Sequence, residues 1–252
     1  MKNTVYLLLI SILFLMNVLS AQQNKLRVAV YNDVGGGERG TNNMELSLSD
    51  NDKYDVIRVD ASDIRNGVLN KIDVLIQPGG SGSKQGKQLE ALGRDSIREF
   101  IKRGGGYLGV CAGAYLSTSF YDWSLNILNA MVIDREHWAR GSGDVVLKFT
   151  EEGKKFFNLN VDTVVVQYNQ GPLLSPYIMD DMTPYKELAT FKTEIAENDA
   201  PPGVMVGTTA IAQGVYGNGK VISISPHFEK REEQRIFIRT CVNWLGNIRH
   251  KK

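Results

Sequence analysis

Cysteine and histidine are scarce in this chain: Cys111 and Cys241 are the two cysteines, and His137, His227 and His250 the three histidines, among 252 residues. So few thiols cannot staple a small scaffold, and no Cys/His spacing suits a metal site, so no metal is expected. Runs of like charge are missing as well. Lys and Arg total 29 against 28 Asp and Glu, a net charge of +1, and the two signs are interspersed. Nothing here offers a footing for nucleic acid or for an anionic membrane surface. Repeats, linkers and low-complexity tracts are also lacking, which makes one domain the simplest organisation.

The one long apolar run lies at the start. Met1-Lys2-Asn3 leads into Tyr6 to Leu19, and the run closes on Ser20-Ala21. A single basic residue, a short apolar core and a small-residue exit form the pattern of a secretory signal peptide over residues 1–21, whereas a spanning helix wants about 20 apolar residues. Cleavage would leave one domain over residues 22–248 with no membrane span, in a periplasmic or secreted location. Export permits a disulfide, so a Cys111–Cys241 bridge has to be weighed. However, Phe237, Cys241 and Trp244 recur at helical spacing, a buried face on which a thiol ordinarily just packs.

Leu26–Tyr31, Asp55–Val59, Asp73–Gln77 and Tyr107–Val110 are short apolar runs rich in Val, Ile and Leu and bounded by turn residues, as in strands covered on both faces. Asp95–Arg103 carries Ile97, Phe100 and Ile101 on one face with Gly104 past its end, and Ala112–Ser119 predicts a second helix. Strand and helix thus alternate, as a parallel sheet requires. The second half predicts strands at Asp144–Phe149, Asp162–Tyr168, Tyr185–Thr190, Val204–Gly207, Ile211–Val215 and Lys220–Ser225, with a hairpin across Tyr216–Gly219. A last helix is expected from about Lys230 to Leu245, followed by a disordered basic tail from Arg249.

Gly109-Val110-Cys111-Ala112-Gly113 joins a strand to a helix through a sharp turn, resembling a nucleophile elbow with Cys in place of Ser. A thiol at a helix N-terminus sits in a positive potential that favours the attacking thiolate, and the Ala112 amide would face a developing oxyanion. The base has to be a histidine. Ser225-Pro226-His227-Phe228-Glu229 follows a strand, and a two-residue step in extended chain puts His227 and Glu229 on one side, so the carboxylate can orient the imidazole. The bland alternative is a surface turn whose histidine caps the last helix.

Cys elbow and His-x-Glu in this order resemble the class I glutamine amidotransferase superfamily, and most closely its biotin-protein ligase N-terminal-domain-like branch. Three stretches carry the resemblance: Gln77-Pro78-Gly79-Gly80, the run Gly104 to Tyr115, and Tyr168-Asn169-Gln170-Gly171-Pro172. It implies a flavodoxin-like three-layer α/β sandwich, its central sheet mostly parallel with antiparallel strands added in the second half. It also implies a catalytic triad of Cys111, His227 and Glu229, and an oxyanion amide from Gly79 or Gly80 opposite Ala112. Gly79, Tyr115, Tyr168, Asn169 and Gln170 would face the substrate. Glutaminases of the superfamily carry Gln where Tyr115 stands, and the chain holds neither a synthase nor a ligase catalytic domain, so ammonia transfer and biotin transfer are both disfavoured.

Other signals carry less. Gly79–Lys87 lacks the first glycine and the hydroxyl of a phosphate loop, so no nucleotide or other cofactor is expected. Val34–Gly40 can rim the site at the strands' carboxyl ends. His137 lacks supporting spacing and reads as structural. The leading reading is an exported cysteine-dependent amide hydrolase or acyl transferase acting on a small-molecule or peptide amide. Two rivals stand beside it: a non-catalytic binding or scaffold protein on the same fold, and a relative whose cysteine senses oxidants. A reduced thiol is harder to maintain outside the cytoplasm, which favours the former of these.

Overall fold

A computed structural model describes residues 25–50, 52–177 and 181–246. The expected signal segment and the basic tail lie outside the described residues. The elements in chain order are β1 (Leu26–Tyr31), α1 (Glu38–Ser47), β2 (Tyr54–Val59), α2 (Ala61–Arg65), β3 (Val74–Gln77), α3 (Gly82–Lys102), β4 (Gly106–Val110), α4 (Ala112–Ser117) and β5 (Ala130–Ile133). They continue with β6 (Ser142–Phe149), α5 (Glu151–Phe157), β7 (Thr163–Asn169), β8 (Leu173–Pro176), β9 (Lys186–Phe191), β10 (Thr209–Tyr216), β11 (Gly219–Ile224) and α6 (Arg235–Gly246).

One sheet runs in the order β2-β1-β3-β4-β11-β10-β9-β6-β7, with β8 joined to β10 and β5 to β8. Strands β2, β1, β3, β4 and β11 are mutually parallel, and the pairs from β11 to β7 are antiparallel. The order 2-1-3-4 followed by a fifth parallel strand is the flavodoxin-like arrangement. Alternation along the strands divides the core between the two faces. Val28 and Val30 pack with Met44, Phe237 and Val242, whereas Ala29 and Tyr31 pack with Ile64, Leu89 and Phe100. Helices α1, α5 and α6 therefore cover one face and α2, α3 and α4 the other, giving the expected three layers.

The expected strands of the first half are present to within a residue, and the β10–β11 hairpin pairs Tyr216 with Gly219. Three readings need correction. Val204–Gly207 is a series of turns, because Gly203 and Gly207 both take positive φ (84° and 82°) and Met205 plugs into the core between them. The helix expected at Asp95 begins at Gly82 under a Ser81 cap and bends at Glu90, where φ is 57°. The last helix begins at Arg235, preceded by two single 3-10 turns, Phe228–Lys230 and Glu232–Gln234. Helix α1 beyond Gly40 falls in no predicted element; its buried residues are Thr41, Met44 and Ser47, so its inner face has almost no hydrophobic signature.

Among the described residues no helix is long and apolar enough to cross a membrane. The elbow is built by close approach. A side chain at Gly113 would put its Cβ 2.0 Å from the Gln77 carbonyl oxygen of β3. Gly113→Ala is therefore expected to destabilise the protein by about 1–3 kcal/mol. By contrast, Gly40→Ala on α1, whose Cβ would meet only ordinary contacts from 3.5 Å outward, should stabilise by about 0.5–1 kcal/mol. Urea unfolding of the two variants checks both signs.

Candidate active site

Strands β3, β4 and β11 lie side by side and parallel, so the segments leaving their carboxyl ends emerge together. Gln77 of β3 is level with Gly109 of β4, and Ile224 of β11 with Val110. The next residue of β4 is Cys111. Its amide donates to the Ile224 carbonyl at 2.8 Å, extending the β4–β11 ladder by one bond, and its carbonyl accepts from Ala114 and Tyr115 to start α4. A residue that ends a strand and opens a helix in one step needs an unusual backbone. Cys111 has φ 52° and ψ −99°, a strained conformation of the kind found at nucleophile elbows.

Three residues beyond β11, the His227 amide donates to the Gln167 carbonyl of β7 at 2.8 Å, an isolated antiparallel bridge that fixes where the ring lies. His227 Nδ1 and Glu229 Oε1 are 2.6 Å apart. Glu229 sits in a 3-10 turn rather than in extended chain, and the turn brings the carboxylate back onto the ring. His227 Nε2 is buried and has no hydrogen-bond partner. Gly79 shows that the ring and the thiol lie together. A Cβ there would lie 2.9 Å from His227 Cε1 and 3.7 Å from Cys111 Cβ, so imidazole and thiol flank the same glycine. The Cys111 thiol itself donates to the Asn169 carbonyl at 3.4 Å.

Relative exposures of 6% for Cys111, 5% for His227 and 1% for Glu229 put all three out of bulk water. Burial lowers the His227 pKa, but the Glu229 and Cys111 charges and the hydrogen bond to Glu229 outweigh it and raise it from 6.5 to about 10. Cys241 is free, fully buried on α6, and its thiol pKa is pushed far up by burial. Cys111 is free too, so no bridge joins them.

The remaining predicted residues lie on neighbouring segments, with Tyr168 turned into the core rather than towards a substrate. Ala112 opens α4, where first-turn amides have no intrahelical acceptor. Gly80 has φ 145°, and the loop after β1 is clamped onto it: Gly37 donates to the Gly79 carbonyl at 3.0 Å and Ser81 to the Gly35 carbonyl at 2.7 Å. Tyr115 donates from its hydroxyl to the Gln170 carbonyl at 3.2 Å, tying the elbow helix to the loop after β7. Tyr168 is fully buried and bonds the Gly171 carbonyl at 2.8 Å, so its ring supports the loop from beneath, while Asn169 is exposed. Sequence reasoning missed Gln167, which positions His227 by backbone alone and so leaves no side-chain signal. His137 is held by Asp134, Nδ1 to Oδ1 at 2.6 Å, as a structural histidine would be. Among the described residues no group of three or more His, Cys, Asp or Glu side chains could hold a metal ion.

The family model described as "Biotin-protein ligase, N terminal" matches residues 26–237, which include every residue of this site. The chain belongs to that family. No curated protein matches it in sequence. Among solved structures, a ThuA-like protein from Bacteroides uniformis is similar with a TM-score of 0.60 at 14% identity, over 89% of this chain and 93% of that one. A glutamine amidotransferase from Thermotoga maritima is similar with a TM-score of 0.55 at 15% identity, over 88% and 85%. A cytoplasmic protein from Salmonella typhimurium gives 0.52 at 14%, over 87% and 98%. At these identities the likeness is one of fold, and the fold of this family member is glutamine amidotransferase-like.

Because the His227 pKa is raised on folding, the buried His227–Glu229 pair contributes stability that is complete below pH 6.5 and is lost as pH rises towards about 10. The stability difference between wild type and His227→Gln is expected to shrink across that window, as measured by thermal unfolding at intervals of half a pH unit. A difference independent of pH would mean that the ring is not charged in the folded state.

Proposed function

We propose that this protein is a cysteine-dependent amide hydrolase or acyl transferase in which Cys111, His227 and Glu229 work as a unit. We propose also that residues 1–21 direct it to the periplasm or outside the cell, where a small-molecule or peptide amide is its substrate. One observation carries the reading: the imidazole is anchored to Glu229 through Nδ1 at 2.6 Å while Nε2 is left buried and unpartnered beside the Cys111 thiol. An unpaired buried polar nitrogen is costly and calls for a role. Proton exchange with the neighbouring sulfur supplies one.

In the reaction, the Cys111 proton already rests on His227 Nε2, and sulfur adds to the amide carbonyl carbon as the thiolate of that ion pair. The carbonyl oxygen gains the negative charge, and the Gly80 and Ala112 amides would receive it. Collapse breaks the C–N bond, and His227 returns the proton to the leaving nitrogen. Water then attacks the thioester and releases the acid, or a second amine attacks and releases a new amide. Glu229 keeps the ring in the productive tautomer and balances its charge. Tyr115 stands where a glutaminase carries glutamine and is already bonded to Gln170, so glutamine is not the expected substrate.

A second reading, binding without turnover on the same scaffold, is favoured by the thiol's bond to the Asn169 carbonyl in place of Nε2. Reactivity separates the two. Iodoacetamide at neutral pH should alkylate Cys111 and leave Cys241 untouched, and Cys111→Ala should abolish labelling; labelling confined to Cys241 would sink the nucleophile assignment. Once an amide substrate is found, Glu229→Gln is expected to lower kcat/KM by about 10²–10⁴-fold, with Cys111 still alkylated.

A further inference from the structure

Arg140 is the largest fully buried side chain described, 1% exposed, and its guanidinium is only half satisfied. Nη2 pairs with the Asp134 carboxylate, whereas Nη1 is buried with no partner. Native proteins rarely leave a buried guanidinium nitrogen unpaired, because the lost hydration is not replaced. The backbone around it is pinned independently. Glu197 donates from its amide to the Arg140 carbonyl at 2.9 Å, and Asn198 donates from its side chain to the Ala139 carbonyl at 2.7 Å. The guanidinium is therefore not what holds the segment in place.

The location is specific. Two residues after Arg140, Ser142 of β6 pairs with Asn169 of β7, the residue whose carbonyl holds the Cys111 thiol. Asp134 follows β5, whose Ile133 pairs with Leu173, two residues beyond Gly171. The ion pair thus adjoins the loop 169–172 beside the thiol. Tyr115 and Tyr168 are near both groups: burial raises both phenol pKa values, the Cys111 charge adds to the rise, and the Arg140 charge opposes it. Both rings feel thiol and guanidinium at once.

We propose that Arg140 is the carboxylate-recognising residue of the Cys111 site, so that the amide processed carries a carboxylate close to its scissile carbonyl, as an N-acyl amino acid or a short peptide end does. This rests on the reading of Cys111 as nucleophile. A guanidinium with one arm fixed on Asp134 and the other unpaired offers a pre-oriented donor to such a group. The motif that glutaminases use at position 115 is replaced by tyrosine, and specificity passes to the charge behind it.

The test compares two small electrophiles of nearly equal size, iodoacetate and iodoacetamide; each forms a sulfur–carbon bond at Cys111 and expels iodide. Their alkylation rates are measured by mass spectrometry and expressed as a ratio, corrected by the same ratio for a free thiol. In wild type the ratio should favour iodoacetate, and Arg140→Gln should lower it by at least about tenfold with the iodoacetamide rate unchanged. Since that variant strands Asp134, the double variant Asp134→Asn/Arg140→Gln removes both charges and should give the same fall. Arg140→Lys should retain part of the preference. Cys111 labelled with an unchanged ratio, or with both rates falling together, overturns the role of Arg140 alone. Cys111 inert to both reagents in wild type overturns the nucleophile and this inference with it.

Discussion

The hydrogen bond from the Cys111 amide to the Ile224 carbonyl, 2.8 Å long, is the constraint on which the site depends. It is the last rung of the parallel β4–β11 ladder, and it forces the thiol and the segment that carries His227 to leave the sheet side by side. A parallel sheet aligns the carboxyl ends of its strands, which is why ligand crevices form there. The insertion of β11 beside β4 brings a histidine more than a hundred residues away in sequence to the cysteine. Everything else around the pair trims its geometry: Gln167 fixes the imidazole from behind, the glycines after β1 and β3 close one side, and Tyr115 ties down the other.

Burial and charge set the character of the site. A histidine and a glutamate taken almost entirely out of water would each be costly alone; at 2.6 Å they compensate one another. Only one face of each is used. Nε2 of the ring and Oε2 of the carboxylate remain without partners, as does Nη1 of Arg140 nearby. They are three of the nine buried side-chain polar atoms without a partner among the described residues, each of which costs stability.

Much of this was legible in the sequence, for identifiable reasons. Strands buried on both faces read as continuous apolar runs, so β1, β3 and β4 were found almost to the residue. The elbow was legible because its glycines are obligatory: Gly113 passes too near β3 for any side chain. The pairing of His227 with Glu229 was legible because the chain has so few histidines. The family resemblance matched the model that covers residues 26–237. Helix α1 was not legible, since Thr41, Met44 and Ser47 form its inner face. Nor was Val204–Gly207, where apolar composition suggested a strand and two glycines with positive φ made turns. The setting of His227 on Gln167 and of Arg140 near the end of β7 was out of reach, because both arise from strand register across the antiparallel half of the sheet, which no local pattern encodes.

The account centres on a thiol that adds to a carbonyl carbon while backbone amides take up the charge on oxygen. A crystal structure of the protein with a peptide aldehyde bound would test that directly. The account predicts a hemithioacetal on Cys111, its oxygen within about 3.1 Å of the Gly80 and Ala112 amides and His227 Nε2 turned towards the sulfur. An aldehyde bound without a bond to Cys111, or an adduct whose oxygen points away from both amides, would contradict it.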